Sequence, residues 1–325
     1  MVVLSAAPVV LAACGGGTQS ALNPHGPAAS EIATLWWVLF AISMAVVVIV
    51  FGLLGVALFR RRDAPDTRHT ESHGLVITLG VAAPAVILIG AFGFNLHTML
   101  AIDHPASPAT VHIQVIGHQW WWEVQYLQPQ KFATANEIHV PVGEAVQVQL
   151  IAPDVIHSFW VPELQKKVDM IPGRTNTTWL QADQPGDYRG QCAEYCGTEH
   201  GQMAFHVVAQ SPADFQVWLQ AQAAPAQQPT GDQAQGVQVF AKEGCISCHA
   251  IQYGSNGPTG GTIGPDLTHL ASRQTIAAGE LANTPDNLTA WVRNAQAIKP
   301  GNFMPQIPMN SQDVQALVSY LDTLK

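Results

Sequence analysis

The sequence predicts a multidomain membrane protein with a two-helix transmembrane hairpin, an all-β sandwich and a final all-α domain. Two long uncharged apolar runs near the N-terminus predict the hairpin, and short runs of alternating polar and apolar residues predict the sandwich. Apolar residues at helical spacing predict the last domain. Only 11% of the 325 residues are charged, which also favours a membrane portion. The expected boundaries are 1–30 for a signal and tether, 31–98 for the hairpin, 99–220 for the sandwich, 221–235 for a linker and 236–325 for the last domain.

The first residues are similar to the cleavage region of a bacterial lipoprotein. A short apolar run ends in Leu11-Ala12-Ala13-Cys14, and three glycines follow the cysteine. Cleavage before Cys14 would make it a lipidated first residue on a flexible tether. No Lys or Arg precedes the apolar run, although a signal peptide should begin with positive charge. An uncleaved and unmodified N-terminus therefore stays open.

The hairpin is expected from uncharged runs at about 34–59 and 75–96, each long enough to cross the roughly 30 Å hydrocarbon layer. Two such runs in tandem argue against a buried helix of a soluble protein. The arginines at 60–62 and 68 lie between the runs, and by the positive-inside rule this loop is cytoplasmic. Both termini, and everything after the second run, are therefore expected on the periplasmic side of a bacterial inner membrane. No role with nucleic acid is expected there.

Alternating residues with glycine and proline between them predict the β sandwich. The alternation has a period of two, which is typical of strands with one buried face. A short helix near 215–219 is expected to end this domain. The expected strands are 111–115, 137–142, 146–150, 177–181 and 203–208.

One stretch of the sandwich carries soft metal ligands. Cys192 and Cys196 lie four residues apart, and His200 and Met203 follow them. Thiolate, imidazole and thioether together suit copper, and the second thiolate indicates two copper ions that share both sulfurs. A disulfide would leave His200 and Met203 unexplained, methionine is a poor zinc ligand, and a loop with incidental cysteines is the third alternative. The site needs one more ligand, which His157 at an apolar strand end would supply if the sandwich closes.

The last domain carries a haem attachment signal. Cys245-Ile246-Ser247-Cys248-His249 is the Cys-x-x-Cys-His pattern in which two thiols bind the haem covalently and the histidine binds iron. A thioredoxin-like pair is disfavoured because no βαβ pattern surrounds it. Helical spacing predicts a last helix over about 311–324 that packs on a first helix near residues 239–240. The linker 221–235 has no large apolar residue, so it is expected to be a flexible tether.

Over roughly residues 30–210 the chain resembles subunit II of haem–copper cytochrome c oxidases. The motifs that carry the resemblance are Gly-His-Gln-Trp-Trp-Trp at 117–122, His-Ser-Phe at 157–159, Asp-Met-Ile-Pro-Gly-Arg at 169–174 and the loop at 192–203. The resemblance implies a cupredoxin-like Greek-key sandwich with a dinuclear copper centre, CuA. One copper would be bound by His157, Cys192, Cys196 and Met203, and the other by His200, both thiolates and the backbone carbonyl of Glu194.

The same resemblance implies further roles. The Glu194 side chain would reach a magnesium ion at the contact with oxidase subunit I, and Asp169 and Arg174 would lie at that contact. Trp120 would be the residue through which electrons reach CuA. Many family members carry a glutamate for proton uptake where this chain has Ile77, so that role stays open.

The C-terminal residues resemble a small class I cytochrome c. The resemblance implies that Met304, in the loop before the last helix, is the second axial iron ligand, with Met309 as the competitor. A His/Met pair raises the haem potential, which suits an electron donor.

The implied function is electron transfer from haem c to CuA and on to a separate catalytic subunit that reduces O2 to water. The electron donor would be a protein such as cytochrome c or a quinol:cytochrome c reductase. From residue 99 onward acidic residues outnumber basic ones, which would attract a basic donor. A nitric oxide reductase that uses CuA is the alternative, and only the partner subunit decides between the two. A copper-delivery module is a weaker alternative, because the haem signal has no place in it. The intact copper ligands exclude a quinol oxidase subunit.

Overall fold

The computed structural model describes residues 19–59, 73–231 and 233–325. Cys14 and the arginines at 60–62 and 68 lie outside the described residues, so the expectations placed on them are not addressed by the structure. The chain divides into two compact units, Ser30–His104 and a unit that joins Met1–Ala29 to Pro105–Lys325.

Two helices, α1 (Pro27–Phe59) and α2 (His73–Ala101), are long and apolar enough to cross a membrane by length and composition. Within α2, a π-helical turn at Thr78–Ala82 separates the α-helical segments His73–Ile77 and Ala83–Ala101. Pro84 lies at the start of the second segment, where its missing N–H costs little. Both helices extend beyond the expected apolar runs. An apolar run marks the part of a helix that fits the hydrocarbon layer, whereas the helical hydrogen bonds can continue past it.

Ten strands form a sandwich of two five-stranded sheets. The first sheet has the order β3-β2-β1-β5-β8 and the second has the order β4-β10-β9-β6-β7. The strand pairs β1–β5 and β4–β10 are parallel. Every expected strand overlaps an observed one. The bounds are β1 Val111–His118, β2 Trp121–Gln128, β3 Phe132–Ala135, β4 Glu137–Pro141, β5 Val146–Ile151, β6 His157–Trp160, β7 Val168–Met170, β8 Asn176–Leu180, β9 Gly186–Cys192 and β10 Ala204–Gln210.

Alternating burial holds the sheets together. Along β1 and β5 every second side chain is buried, as the period of two predicts. Phe205 is fully buried, and its ring lies 4.7 Å from that of Phe159 and 5.0 Å from that of Trp122. Burying a side chain of this size stabilises a fold by about 1.5–3 kcal/mol. Gly190 makes room for this cluster, since a Cβ there would lie 2.2 Å from the Phe205 ring.

A single helix and a mostly helical C-terminal domain follow the sandwich. Helix α3 (Pro212–Ala223) begins with the Ser211 side chain accepting from the Asp214 N–H. The last domain also contains two small β ladders that the expectation of an all-α domain omitted. Its elements are α4 Gln233–Lys242, β11 Ala250–Gln252, β12 Pro258–Gly260, β13 Thr275–Ile276, β14 Leu281–Ala282, α5 Pro285–Arg293, α6 Ala295–Ile298 and α7 Ser311–Leu321.

Helices α4 and α7 pack closely, as their spacing of apolar residues predicts. Gly236 of α4 faces α7, where a Cβ would lie 2.3 Å from both the Ala316 carbonyl oxygen and the Tyr320 Cβ. The rings of Phe240 and Tyr320 meet at 6.0 Å. Only glycine at position 236 permits this approach, and the close crossing forms one wall of the domain core.

The linker differs in part from the expected flexible tether. Helix α3 continues to Ala223, and Ala226 is buried with its N–H donating to Gln252 O at 2.9 Å. The Ala224 carbonyl accepts from the His269 ring at 2.8 Å. The absence of large apolar residues was misleading, because small residues and backbone hydrogen bonds fix this part of the linker.

Candidate metal centres

The strand pairing brings the distant histidine to the cysteine loop. Strand β9 ends at Cys192 and β10 begins at Ala204, so the loop connects two paired strands. Strand β6 lies against β9 with Phe159 opposite Cys192, which places His157 at the same end of the sheet. The Cys192 N–H donates to the Met203 carbonyl at 3.0 Å and closes the loop at its base.

All six expected ligand residues converge. His157, Cys192, Cys196 and Met203 are each at most 3% exposed. The donor atoms of His157 and the two cysteines all lie within 4.8 Å of one another. The distances are 3.7 Å between the two cysteine sulfurs, 3.8 Å from Cys192 Sγ to His157 Nδ1, 3.2 Å from Cys192 Sγ to the Glu194 carbonyl, 3.7 Å from Cys196 Sγ to His200 Nδ1 and 3.8 Å from Cys196 Sγ to Met203 Sδ.

The donor set fits copper. Two thiols, a thioether and two imidazoles, together with one carbonyl, suit copper, and the three sulfur-bearing side chains are buried. The contact with Cys196 lowers the pKa of the Cys192 thiol, and the same contact raises the pKa of the Cys196 thiol. The first proton therefore leaves readily, whereas the second would place two negative charges side by side. A bound cation would remove that obstacle, because metal binding displaces thiol protons.

Two residues that the sequence analysis missed support the site. Asp154 Oδ1 lies 2.9 Å from His157 Nε2, and Asp154 Oδ2 accepts the Gln119 backbone N–H at 2.7 Å. The Gln119 side chain donates to the Cys196 carbonyl at 2.7 Å. Asp154 thus leaves His157 Nδ1 free toward the sulfurs, since a partner on one ring nitrogen fixes the other. The sequence signal that could have revealed Asp154 is its position three residues before His157, a candidate ligand.

Electrostatics around His157 agree with this role. Burial opposes the charged imidazole, but contacts with Asp154 and Cys192 outweigh it and raise the pKa of His157. Burial also opposes charge on Asp154, yet hydrogen bonds from His157, Val155 and Gln119 lower the pKa of its carboxyl. The Asp154 carboxylate is therefore ionised and keeps its hydrogen bond with the His157 ring.

The Glu194 side chain points away from the sulfurs. Its carboxylate pairs with Lys167 Nζ at 3.4 Å, and Lys167 also pairs with Asp169 at 3.0 Å. Ser158 Oγ donates to Asp169 at 2.8 Å. Arg174 is exposed in the turn after β7. The carbonyl of Glu194 therefore faces the Cys192 sulfur, whereas its carboxylate contacts Lys167.

The haem attachment residues line a cavity between α4 and the loop before α7. Cys245, Cys248, His249, Met304 and Met309 all line it, so the structure brings both candidate methionines to the same space. The His249 Nδ1–H donates to the Pro265 carbonyl at 2.8 Å, which leaves Nε2 for iron. Burial lowers the pKa of His249, and this keeps the ring in its neutral, ligating form.

Two features show that the cavity fits a haem. Gly264 lies against the histidine, since a Cβ there would be 2.6 Å from His249 Cε1. Arg273 is buried in the cavity wall, and it donates from Nη2 to the Asp266 carbonyl while its Nε lacks a hydrogen-bond partner. Burial lowers the pKa of this guanidinium. A haem propionate would supply the missing acceptor and the balancing charge. The sequence analysis did not single out Arg273.

Trp120 connects the two sites. Its ring lines the haem cavity and lies 5.4 Å from the ring of Phe303, next to Met304. Its indole Nε1–H donates to the Cys196 carbonyl at 3.1 Å. Gly197 allows this approach, because a Cβ there would be 2.9 Å from the indole. The residue expected to pass electrons to copper therefore touches both the haem cavity and a cysteine ligand.

Comparison with known proteins assigns a family to the sandwich and to the C-terminal domain. Residues 127–211 match the family of the cytochrome c oxidase subunit II periplasmic domain, and residues 233–325 match the cytochrome c family. The chain is 38% identical over 322 residues to cytochrome c oxidase subunit 2 of Alkalihalophilus pseudofirmus, covering 96% of this chain and 92% of that protein. It is 31% identical over 342 residues to cytochrome c oxidase subunit 2 of Bacillus sp. strain PS3, covering 98% and 94%. A crystal structure of the periplasmic domain of subunit II of Bradyrhizobium japonicum cytochrome oxidase is 32% identical and covers 36% of this chain and 96% of that one, with a TM-score of 0.34.

The two family matches and the two relatives confirm the resemblance, the expected fold class and the enzyme class. The relatives are subunits of a haem–copper oxidase, an oxidoreductase with several subunits. The two apolar helices supply the membrane anchoring that precedes the periplasmic domain. The chain therefore belongs to the cytochrome c oxidase subunit II family and joins a copper-binding periplasmic domain to a C-terminal cytochrome c domain.

Proposed function

We propose that this chain carries electrons from a haem c to a dinuclear CuA centre, and from there to an oxidase subunit that reduces O2 to water. The convergence of three sulfurs, two imidazole nitrogens and one carbonyl oxygen in the Cys192–Met203 loop and at His157 is the observation that carries this proposal. The haem would supply a one-electron donor, and the copper pair a one-electron acceptor and donor. The residues of this chain hold both groups and fix the distance between them.

At the copper end, two ligand sets share the cysteines. His157 and Met203 complete the set for one ion, and His200 with the Glu194 carbonyl completes the set for the other. The donor atoms are close enough to one another, at 3.7 Å between the sulfurs and 3.2–3.8 Å to the other donors, for both cysteines to be shared by the two proposed ligand sets. A mononuclear site would use only one of the two cysteines as a thiolate, whereas a dinuclear site uses both.

At the haem end, Cys245 and Cys248 attach the haem and His249 binds its iron. We propose Met304 as the second ligand of the iron. Its loop is held in place: the Met304 N–H donates to Asn302 Oδ1 at 2.8 Å, and the Met304 carbonyl accepts from Gln296 at 2.9 Å. A ligand loop fixed in this way limits reorganisation on electron transfer.

The route between the centres runs through Trp120. One end of the indole borders the haem cavity, and the other donates a hydrogen bond to the Cys196 carbonyl. Trp120 is only 8% exposed, so a separate soluble donor has little access to it in this arrangement. Electrons from such a donor, a cytochrome c or a quinol:cytochrome c reductase, would enter at the haem.

The opposite side of the copper loop is proposed to contact oxidase subunit I. Glu194, Asp169 and Arg174 are the residues placed there, and Glu194 is also the candidate ligand for magnesium. The carboxylates of Glu194 and Asp169 both bind Lys167. A cation at the subunit contact would compete with this lysine.

The proposed membrane arrangement has both termini and both redox domains outside the cytoplasmic membrane. Covalent haem attachment agrees with that side, and Cys14 would add a lipid anchor. The proposed domain limits are those predicted above, with residues 99–220 for copper and 236–325 for haem.

The test is purification of the chain with its partner subunits in mild detergent. A redox difference spectrum should show haem c, and EPR should show a mixed-valence dicopper signal. One copper per chain with a mononuclear EPR pattern would refute the CuA assignment. Oxygen and nitric oxide uptake are then measured separately, and turnover of NO without O2 would replace the oxidase function by that of a nitric oxide reductase.

A further inference from the structure

Lys299 is a buried cation at the boundary between the two redox domains. It lies in the haem domain directly after α6 and is 2% exposed. Its ammonium donates to the carbonyls of Trp120 at 2.8 Å and of Gln202 at 2.6 Å, both in the copper domain. A third contact, at 3.4 Å, goes to the Ala277 carbonyl of its own domain. An ammonium has three N–H donors, so the three carbonyls match its full capacity.

Two of the three carbonyls that accept from Lys299 belong to residues beside the proposed redox centres. Trp120 is the residue that borders the haem cavity, and Gln202 precedes the copper ligand Met203. The Lys299 ammonium thus contacts the backbone of Trp120, on the proposed electron route, and the backbone of Gln202, in the copper loop. The rest of the Lys299 side chain lies in the wall of the haem cavity.

Burial of this charge is expensive unless its hydrogen bonds are complete. Burial lowers the pKa of Lys299 to about 8, although Glu280 and Glu199 oppose the shift. The lysine is still mostly charged at neutral pH. In the part of the chain that the structure describes, no ion pair includes Lys299, so carbonyl oxygens provide its direct contacts. Two of the three are present only when the domains touch.

The other hydrogen bonds between the two domains, among the described residues, have neutral N–H donors. The Ala204 N–H donates to the Ala278 carbonyl at 3.0 Å, and the Gln274 N–H donates to Glu137 at 2.9 Å. These bonds hold the flank of the interface. Hydrogen bonds from a charged donor are roughly twice as strong as neutral ones, and Lys299 places them next to Trp120.

We infer that Lys299 is a positioning residue that docks the haem domain on the copper domain and keeps Trp120 at a fixed distance from both centres. This inference rests on the proposed electron transfer from haem c to CuA. Without the ammonium, the haem domain should leave its docked position part of the time, while each centre remains intact.

The test uses the complete oxidase with Lys299→Met. Lys242→Met is the matched control, because Lys242 is 66% exposed and its partners Glu243 and Asp313 lie in the same domain. An electron is injected photochemically into the haem, and its arrival at copper is followed by absorption at several glycerol concentrations. Loss of the charged hydrogen bonds should weaken docking by about tenfold or more.

The wild type and Lys242→Met should transfer electrons in a single phase that glycerol does not slow. Lys299→Met should add a slower phase whose rate falls as viscosity rises, because the domain must first dock. Both proteins should keep the same haem and copper spectra. If Lys299→Met retains both spectra and the single glycerol-independent phase, the inference is wrong. If the wild type itself transfers no electron from haem to copper, the proposed function fails instead.

A second measurement does not depend on the variant. Lysine acetylation of the wild-type oxidase is followed by mass spectrometry under native conditions. Lys299 should react much more slowly than Lys242, since docking encloses its ammonium. Equal rates for the two lysines would overturn the inference even if Lys299→Met fails to assemble.

Discussion

The indole Nε1–H of Trp120 donates a hydrogen bond to the carbonyl oxygen of Cys196 at 3.1 Å, while the same ring lies in the wall of the haem cavity. Trp120 comes from the turn between β1 and β2, and Cys196 from the loop between β9 and β10. This bond links a proposed copper ligand directly to a residue in the wall of the proposed haem site.

Trp120→Phe should slow electron transfer from haem to copper while both centres remain loaded. Phenylalanine keeps the ring in the cavity but removes the N–H, so the bond to Cys196 is lost. The free energy of unfolding should fall by about 0.5–1.5 kcal/mol, the usual value of one hydrogen bond. Flash-induced transfer in the intact oxidase measures the rate. Trp218→Phe is the control, because the Trp218 ring stacks on His139 at 4.0 Å, away from the residues that line the haem cavity. Equal slowing in both variants would contradict a special route through Trp120.

Met203→Leu should retain copper but change its reduction potential. The thioether is a weak ligand, whereas the cysteines and histidines hold the metal. Leucine fills a similar volume at a site that is 1% exposed, so the cost in stability should stay below about 1.5 kcal/mol. Copper content and a redox titration of the EPR signal give the result. Met170→Leu, at another buried methionine, is the control. Complete loss of copper in Met203→Leu alone would show that Met203 is needed to hold the metal.

Arg273→Gln should lower the haem reduction potential with the haem still attached. A positive guanidinium in the cavity wall disfavours the oxidised haem, which carries one more positive charge. The expected change is roughly 1–2 kcal/mol for one electron at an effective dielectric constant near 20. A spectroscopic redox titration measures it, with the exposed Arg293→Gln as control. A potential that does not move would mean that Arg273 stays remote from the haem.

Glu123 should contribute stability that is lost in acid. Burial opposes its charge, but hydrogen bonds with His118 at 3.0 Å and Gln125 at 2.5 Å outweigh it and lower the pKa of its carboxyl. The stabilisation is therefore fully present above the ordinary glutamate pKa and disappears as the pH falls through the lowered value. Urea unfolding at several pH values should show a shallower acid loss for Glu123→Gln than for the wild type. Glu144→Gln is the control, and an identical slope in all three proteins would rule out this contribution.

The convergence of the candidate copper ligands was predictable from the sequence because most of them lie close together in it. Cys192, Cys196, His200 and Met203 occupy a single loop whose spacing and chemistry specify a soft metal. His157 could be added because a sandwich must close around such a loop. The family resemblance supplied Glu194 and the division into two ligand sets. The haem signal is likewise local, since the thiols and the histidine occupy five consecutive residues.

Hydrogen bonds to distant backbone atoms were not predictable. Gln119 and Trp120 both donate to the Cys196 carbonyl, a group that every residue carries and no sequence pattern marks. The linker was judged by its lack of apolar side chains, yet Ala226 is buried and bonded through its backbone. The sequence left Met304 and Met309 in competition, and the cavity admits both.

The sequence by itself determined the two apolar helices, the sandwich, the haem attachment and the soft ligands, because periodicity and spacing along the chain encode them. Only the tertiary structure decided that the haem domain packs against the copper loop and that Lys299 is enclosed between them. A lysine in sequence is normally a solvated surface charge. Its burial depends on three carbonyls from positions 120, 202 and 277, which only the folded contact between the domains brings together.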